Sequence, residues 1–209
     1  MAGSADRKRR RFQEKGKRRM VDEYLRRALS SRAPVDASFV LGLHSLMVLG
    51  TNSSPSEGYR EIPVRVRWGK KIVYVAPAPE GVPALMRGFF DWVAADQSPD
   101  HVRSAGRAML RLLKIHPFRE GNGRTARAIA TYMLFLNDYS QRPLRTLEKY
   151  VDSNLTGYYE ALASSGVEFP GPWDAFFSSA VSWAFRAPDA GRLAGALAPV
   201  IDRFRSTLK

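Results

Sequence analysis

The sequence predicts a mainly α-helical fold carrying a single β-hairpin, and two observations predict it. Apolar residues recur at intervals of three and four in successive segments between Met20 and Leu136, the repeat of a helix face, whereas strict alternation is confined to residues 62–67. With 44% hydrophobic and 11% aromatic residues, a chain of 209 can bury one sizeable core, so disorder throughout is excluded.

The first helix is expected to begin near Met20, because Val21, Leu25 and Leu29 repeat at helical spacing before Pro34 stops the segment. A second spans about Asp36 to Leu49, with Asp36 as N-cap and Phe39, Val40, Leu43, Leu46 and Met47 as its apolar stripe. Its His44 reads as a packed or surface residue, since no second ligand sits a helical turn away. Turn-forming residues from Thr51 to Gly58 separate helix from strand. Ile62–Arg67 alternates, Ile72–Val75 is β-branched, and Trp68-Gly69-Lys70-Lys71 joins them into a hairpin. Two strands alone are marginal in water, so this hairpin must lean on helices or receive another chain. A wide apolar helix face follows from Pro83 to Ala95, and Pro99 with Asp100 resets the chain. From Asp100 to Ile115 the repeat is that of a core helix, which Pro117 cannot continue; the next helix runs from Arg124 to Leu136.

Charge is distributed unevenly. The formal net charge is +13, and residues 1–32 hold twelve Lys/Arg against four Asp/Glu, net +8, leaving +5 for the rest. Arg7–Arg11 and Lys15–Arg19 are blocks of the kind that stay solvated and attract polyanions, so a basic arm is expected that docks a partner or contacts nucleic acid or an acidic protein. No apolar h-region follows it, which argues against a secretory signal. The longest apolar run, Ala128–Leu136, is about half of a bilayer span. No cysteine is present, which excludes disulfides and thiolate metal sites and fits a reducing compartment. A cytoplasmic protein with no membrane contact is the expectation, export as an effector being compatible with it.

The chemistry concentrates between Ile115 and Arg127. His116 stands at the C-terminal edge of one helix, and Gly121-Asn122-Gly123 is a tight link at the N-terminus of the next. Orphan amide hydrogens and the positive end of that helix make a phosphate seat. Arg124 and Arg127 share a face and add two fork-shaped donors to the same anion. Glu120 beside a phosphate makes sense as a ligand for a hard divalent cation, since magnesium takes one or two carboxylates plus phosphate oxygens.

His116-Pro117-Phe118-Arg119-Glu120-Gly121-Asn122-Gly123-Arg124-Thr125-Ala126-Arg127 resembles the signature of Fic-domain proteins, His-Pro-Phe-x-Asp/Glu-Gly-Asn-Gly-Arg-x-x-Arg, with no fixed position missing. The likeness extends over roughly residues 36–185 through Leu43-His44, Gly58-Tyr59-Arg60, Ala76–Pro79, Val82–Met86, Tyr158–Leu162, Trp173 and Phe176-Phe177. Residues 1–35 are left as the basic arm with its short helix, and 186–209 as a C-terminal helix. The resemblance implies a Fic-type helical bundle whose hairpin is a flap over the active site. It also implies a magnesium-dependent enzyme that moves AMP from ATP onto a Ser, Thr or Tyr hydroxyl of a target protein. On it, His116 is the general base and Glu120 the magnesium ligand. Phe118, the amides of Gly121 to Gly123 and the Asn122 side chain surround the phosphates. Arg124 and Arg127 hold the outer phosphates, and Tyr158 and Tyr159 line the adenine pocket. The flap, with Lys70, Lys71, Ile72 and Val73 at its docking edge, pairs with a target segment.

Two departures are visible. Met109 stands where many members have a histidine seven residues before the motif histidine, which should alter packing more than chemistry. The string Ser53-Ser54-Pro55-Ser56-Glu57-Gly58 fits the family's inhibitory pattern, in which a helix glutamate pairs with the second motif arginine, here Arg127; Pro55 would disrupt such a helix, so the string is rejected. The enzyme is therefore expected to be uninhibited, or inhibited in trans by a small antitoxin-like partner. The rival readings are a related transferase of another phosphate-containing group and an inactive, basic nucleic-acid-binding protein. The sequence does not fix the oligomeric state.

Overall fold

A computed structural model describes residues 4–49, 58–137, 139 and 144–186. Its elements are α1 (Ser4–Ser31), α2 (Ala37–Val48), β1 (Arg65–Trp68), β2 (Lys71–Val75), α3 (Val82–Ala95), α4 (His101–Ile115), α5 (Asn122–Leu136), α6 (Leu144–Ser153), α7 (Leu155–Ser164) and α8 (Gly171–Arg186), with a 3-10 turn at Pro79–Gly81 before α3. The fold is mainly helical, as the periodicities predict, and α4 and α5 form its centre: α4 packs on α3, α5 and α8, and α5 on α1, α2 and α6.

The helix starts follow from local chemistry. Asp36 caps α2 by accepting the Phe39 amide at 2.8 Å, and Asp100 caps α4 by accepting the Arg103 amide at 3.0 Å. The first helix is longer than its apolar repeat: it begins at Ser4, not near Met20. Lys, Arg, Glu and Gln are good helix formers, so the basic arm can continue the helix without a core to face. Among the described side chains burial starts where the repeat does, at Val21, Leu25 and Ala28, and Tyr24 fastens α1 to α2 through a bond to the Phe39 carbonyl at 2.9 Å. α5 starts two residues before the predicted Arg124, at Asn122. The expected C-terminal helix over 186–209 lies outside the described residues beyond Arg186, as does nearly all of the Ser53–Gly58 string.

On the far side of α4, α8 approaches closely because Gly106 has no side chain. A Cβ there would lie 2.7 Å from the Phe177 ring. Trp173, fully buried, donates its indole N–H to the Gly106 carbonyl at 2.7 Å, and Asp174 receives Arg107 at 2.9 Å. Met109 is 2% exposed and belongs to this core, which agrees with a packing role for it.

The hairpin pairs Arg65 with Val75, Val66 with Tyr74, Arg67 with Ile72 and Trp68 with Lys71, with a bulge that leaves Val73 as the extra residue. Gly69 at φ +59° opens the two-residue turn, a conformation that favours glycine. The hairpin does lean on the helices. Tyr74 donates to the Lys114 carbonyl at 2.6 Å, the Lys114 ammonium lies 4.5 Å from the Tyr74 ring centre, and Trp68 stacks on Tyr159 of α7 at 5.5 Å. Among the described residues no helix is long and apolar enough to cross a membrane.

Candidate active site

The break between α4 and α5 builds the site. His116 ends α4 in the left-handed conformation, φ 51° and ψ 57°, with its amide still bonded to the Leu112 carbonyl at 2.8 Å. That turn aims the imidazole away from the helix axis, and Nδ1 comes within 3.3 Å of the Leu113 carbonyl. A carbonyl only accepts, so Nδ1 carries the proton and Nε2 is the basic lone pair. Burial pushes the His116 pKa below the usual histidine value, and the Arg60 guanidinium adds to this against the opposing Leu113 bond. The ring is therefore neutral near pH 7, as a general base requires.

Arg60 is 3% exposed and spends its guanidinium on backbone carbonyls: His116 at 2.8 Å, Ile62 at 2.9 Å, Pro77 at 2.6 Å and, more distantly, Ile115 at 3.4 Å. Its own amide donates to the Pro117 carbonyl at 2.8 Å. One side chain thus ties both feet of the hairpin to the end of α4. Sequence reasoning gave Arg60 no role of its own, because bonds to backbone carbonyls leave no periodic or motif trace.

The loop between the helices is held from inside. Asn122 is 2% exposed; its Oδ1 accepts the Phe118 amide at 2.9 Å and its Nδ2 donates to the Phe118 carbonyl at 2.8 Å. The Asn122 side chain therefore clamps the loop from inside. Phe118 is likewise fully buried, so its ring is core and not ligand surface. His44 stacks on that ring at 3.6 Å and 10°, and its Nε2 donates to the Glu120 carbonyl at 3.0 Å. His44 is the packed residue expected, with a positioning task added. Gly121, at φ +80°, caps α5 without any side-chain cap bond, and a Cβ there would lie 2.8 Å from Val48 Cγ1. Only glycine fits.

The result is an α5 N-terminus without a side-chain cap, bordered by Gly121 and Gly123. Arg124 is half-buried and donates to the Met47 carbonyl at 2.6 Å, which fixes its stem at the end of α2. Arg127 curls back so that its Nη1 stands 3.3 Å from where a Gly123 Cβ would be. Arg127 makes no ion pair among the described residues. Glu120 is exposed beside this seat. Among the described residues no three His, Asp or Glu side chains gather as a metal cage. A lone exposed carboxylate next to a phosphate seat fits magnesium, which completes its shell with phosphate oxygens and water.

Tyr158 and Tyr159 do not present two ring faces to a ligand. Tyr158 is 5% exposed, packed against Trp173 and Phe176, its hydroxyl pushed up to about 12 by burial with Arg127 as the nearby cation. Tyr159 is half-buried under Trp68, so of the pair only Tyr159 borders the space beneath the hairpin. Of the flap residues, Lys70, Lys71 and Ile72 are exposed and the bulged Val73 is half-buried. A cleft of about 560 Å³ lies elsewhere, lined by Asp36, Phe90, Asp96, His101 and Met133 among others, and contains no motif residue.

Comparison with known proteins bears on the family and the fold. Residues 34–134 match the model of the Fic/DOC family. A protein adenylyltransferase Fic of Drosophila willistoni is 32% identical over 121 residues, which is 56% of this chain and 23% of that protein. A probable protein adenylyltransferase of Aquifex aeolicus is 29% identical over 119 residues, 57% of this chain and 36% of that protein. The chain thus spans about a quarter to a third of the length of these curated relatives. Two crystal structures share the fold, each with a TM-score of 0.65. A Fic family protein of Desulfovibrio desulfuricans G20 is 24% identical, covering 81% of this chain and 51% of that one. A Fic domain containing signaling protein of Bacteroides thetaiotaomicron is 21% identical, covering 87% and 72%.

Proposed function

From the premise that this chain belongs, through residues 34–134, to the Fic/DOC family, we propose that it is a protein adenylyltransferase that moves AMP from ATP onto a hydroxyl side chain of a target protein. The observation that carries this reading is the pairing, across one break between helices, of a neutral His116 whose Nε2 is free to accept a proton with an uncapped α5 N-terminus flanked by Arg124 and Arg127. A base and an anion seat on opposite sides of a gap suit attack of a neutral hydroxyl on a phosphorus. The names of the relatives support the same class of transfer.

In this reaction His116 Nε2 takes the hydroxyl proton as the target oxygen bonds to the α-phosphorus. The bond between the α-phosphorus and the bridging oxygen breaks, and pyrophosphate leaves with the electron pair. The Leu113 carbonyl holds the imidazole in the required tautomer. Amides at the start of α5 and the Arg127 guanidinium receive the negative oxygens, and the Asn122 clamp with the His44 bond keeps that loop in place before ATP arrives. Glu120 is the residue that would hold Mg2+, which when bound neutralises charge on the α- and β-phosphates. Tyr159, beneath Trp68, would border the adenine. Arg127, unpaired among the described residues, is where a trans-acting antitoxin-like inhibitor would place a carboxylate.

Incubating the chain with candidate targets and either α-labelled or γ-labelled ATP tests the reading. Label from the α-phosphate should enter protein with wild-type enzyme and vanish with His116→Ala. Label from the γ-phosphate on protein would overturn it in favour of phosphoryl transfer.

A further inference from the structure

The outward face of the hairpin carries a pattern that main-chain pairing alone does not require. Arg65 stands opposite Val75 and Arg67 opposite Ile72, all four exposed, with Val75 at 59% and Ile72 at 39%. Val66 and Tyr74, the pair between them, are half-buried toward the helices, where Tyr74 meets the Lys114 carbonyl. Lys70 and Lys71 complete the tip. From Ile62 to Pro79 there is no acidic residue, and Arg65, Arg67, Lys70 and Lys71 form no ion pair among the described residues. Other cations of the chain are satisfied: Arg107 takes Asp174, and Arg60 takes four carbonyls.

Exposed lysine and arginine on a two-stranded edge can serve simply to prevent aggregation. That explanation covers charge but not its arrangement, in which each arginine is paired in register with an exposed aliphatic residue. A surface protected only against association would not keep Val75 and Ile72 uncovered on the same face. Residues two apart on a strand stand about 6.5 Å from one another, so Arg65 and Arg67 repeat at the spacing of alternate side chains on any added strand.

Resting on the reading of the hairpin as the flap that receives a target, we propose that this face selects an acidic target: an extended segment with carboxylates at alternate positions, on the strand face that meets Arg65 and Arg67. Charge complementarity chooses the segment and brings it in, while strand pairing with the backbone sets the depth at which its hydroxyl reaches His116. The four free cations of the hairpin thereby act in specificity and not in chemistry.

The test uses the full chain without ATP, so that docking is read apart from catalysis. Short peptides of one design, a central Tyr with Glu, Gln or Lys at alternate flanking positions, are titrated by fluorescence anisotropy at low and high salt. The Glu peptide should bind about five- to tenfold tighter than the Gln peptide at low salt, and added salt should shrink the difference. The double variant Arg65→Glu, Arg67→Glu, whose positions are exposed and whose melting temperature should not change, should lose that preference and favour the Lys peptide. The titration contains no nucleotide and reads docking alone, so a failed transferase reading would leave this result standing. Equal binding of Glu and Gln peptides, a charge-reversed variant that still prefers Glu, or no peptide binding at all would overturn the proposal. A single-stranded oligonucleotide that displaces the Glu peptide at lower concentration than unlabelled Glu peptide would overturn it in favour of a nucleic-acid partner.

Discussion

Replacing Arg60 by Met should detach the hairpin from the end of α4. The substitution keeps an apolar stem and removes three close bonds, to the carbonyls of His116, Ile62 and Pro77, and a longer one to Ile115. A net hydrogen bond from a charged donor is worth about 1.5–3 kcal/mol, but the same change relieves the burial of a guanidinium, and its partners are neutral carbonyls, so no opposite charge is left stranded. The sum therefore falls well below three full bonds, at roughly 2–4 kcal/mol. For a chain of this length each kcal/mol moves the melting temperature by about 2–4 °C, giving a fall of roughly 5–15 °C by circular dichroism. Arg60→Lys offers a compact ammonium that can reach one or two of these oxygens, and should recover less than half. Trypsin cleavage at Lys70-Lys71 supplies a local readout: it should accelerate in Arg60→Met under conditions where the helices stay folded. If the Met variant melts within about 1 °C of the parent and its hairpin is cut no faster, Arg60 does not hold the flap.

Three further outcomes follow from the same geometry. Gly121→Ala places a Cβ 2.8 Å from Val48 Cγ1 at φ +80°, and should destabilise by about 1–3 kcal/mol in urea unfolding; adding Val48→Ala should return only the part due to the clash. Asn122→Ala opens both bonds to Phe118, so it should loosen the loop and lower ATP affinity in calorimetry. Burial lowers the pKa of both His116 and His44 below the unfolded value of about 6.5. Between the lowered and the unfolded values the unfolded chain binds more protons, so stability is fully present above about pH 6.5 and declines as pH falls through that window. Thermal melts from pH 8 to pH 5 check this, and the acid limb of the transfer rate should lie below the ordinary histidine value, because the base is active when unprotonated.

Much of this molecule can be read along the chain where the determinant is local. Asp36 and Asp100 announce the starts of α2 and α4, Pro117 ends α4, and the alternation at residues 62–67 with the β-branched run at 72–75 gives the hairpin. The length of α1 could not be read the same way, since Lys and Arg favour a helix without any apolar face to mark it. The helices α6, α7 and α8 are suggested only by resemblance. Their aromatic residues, Tyr158, Trp173 and Phe177, are buried by tertiary packing whose partners, such as Gly106, lie far away in sequence. Within the site, the residue types of the motif are legible but their division of labour is not. The bonds that Asn122 makes to Phe118 leave no trace in the motif, and Arg60 and His44 look incidental until their carbonyl partners appear.

The break between α4 and α5 sets two helix ends of opposite polarity against one another. The imidazole of His116 stands at the end of α4, where carbonyls gather, and the phosphate seat stands at the start of α5, where amides do. In the proposed transfer a proton moves to His116 while negative charge moves onto the departing pyrophosphate, so the positive product forms at the carbonyl end and the negative product at the amide end. Each end is worth about 0.3–1 kcal/mol to the charge it receives. Burial, with Arg60 at the carbonyl end adding to it, lowers the pKa of the imidazole before it accepts the proton. The backbone itself is thereby polarised along the direction in which the reaction separates charge.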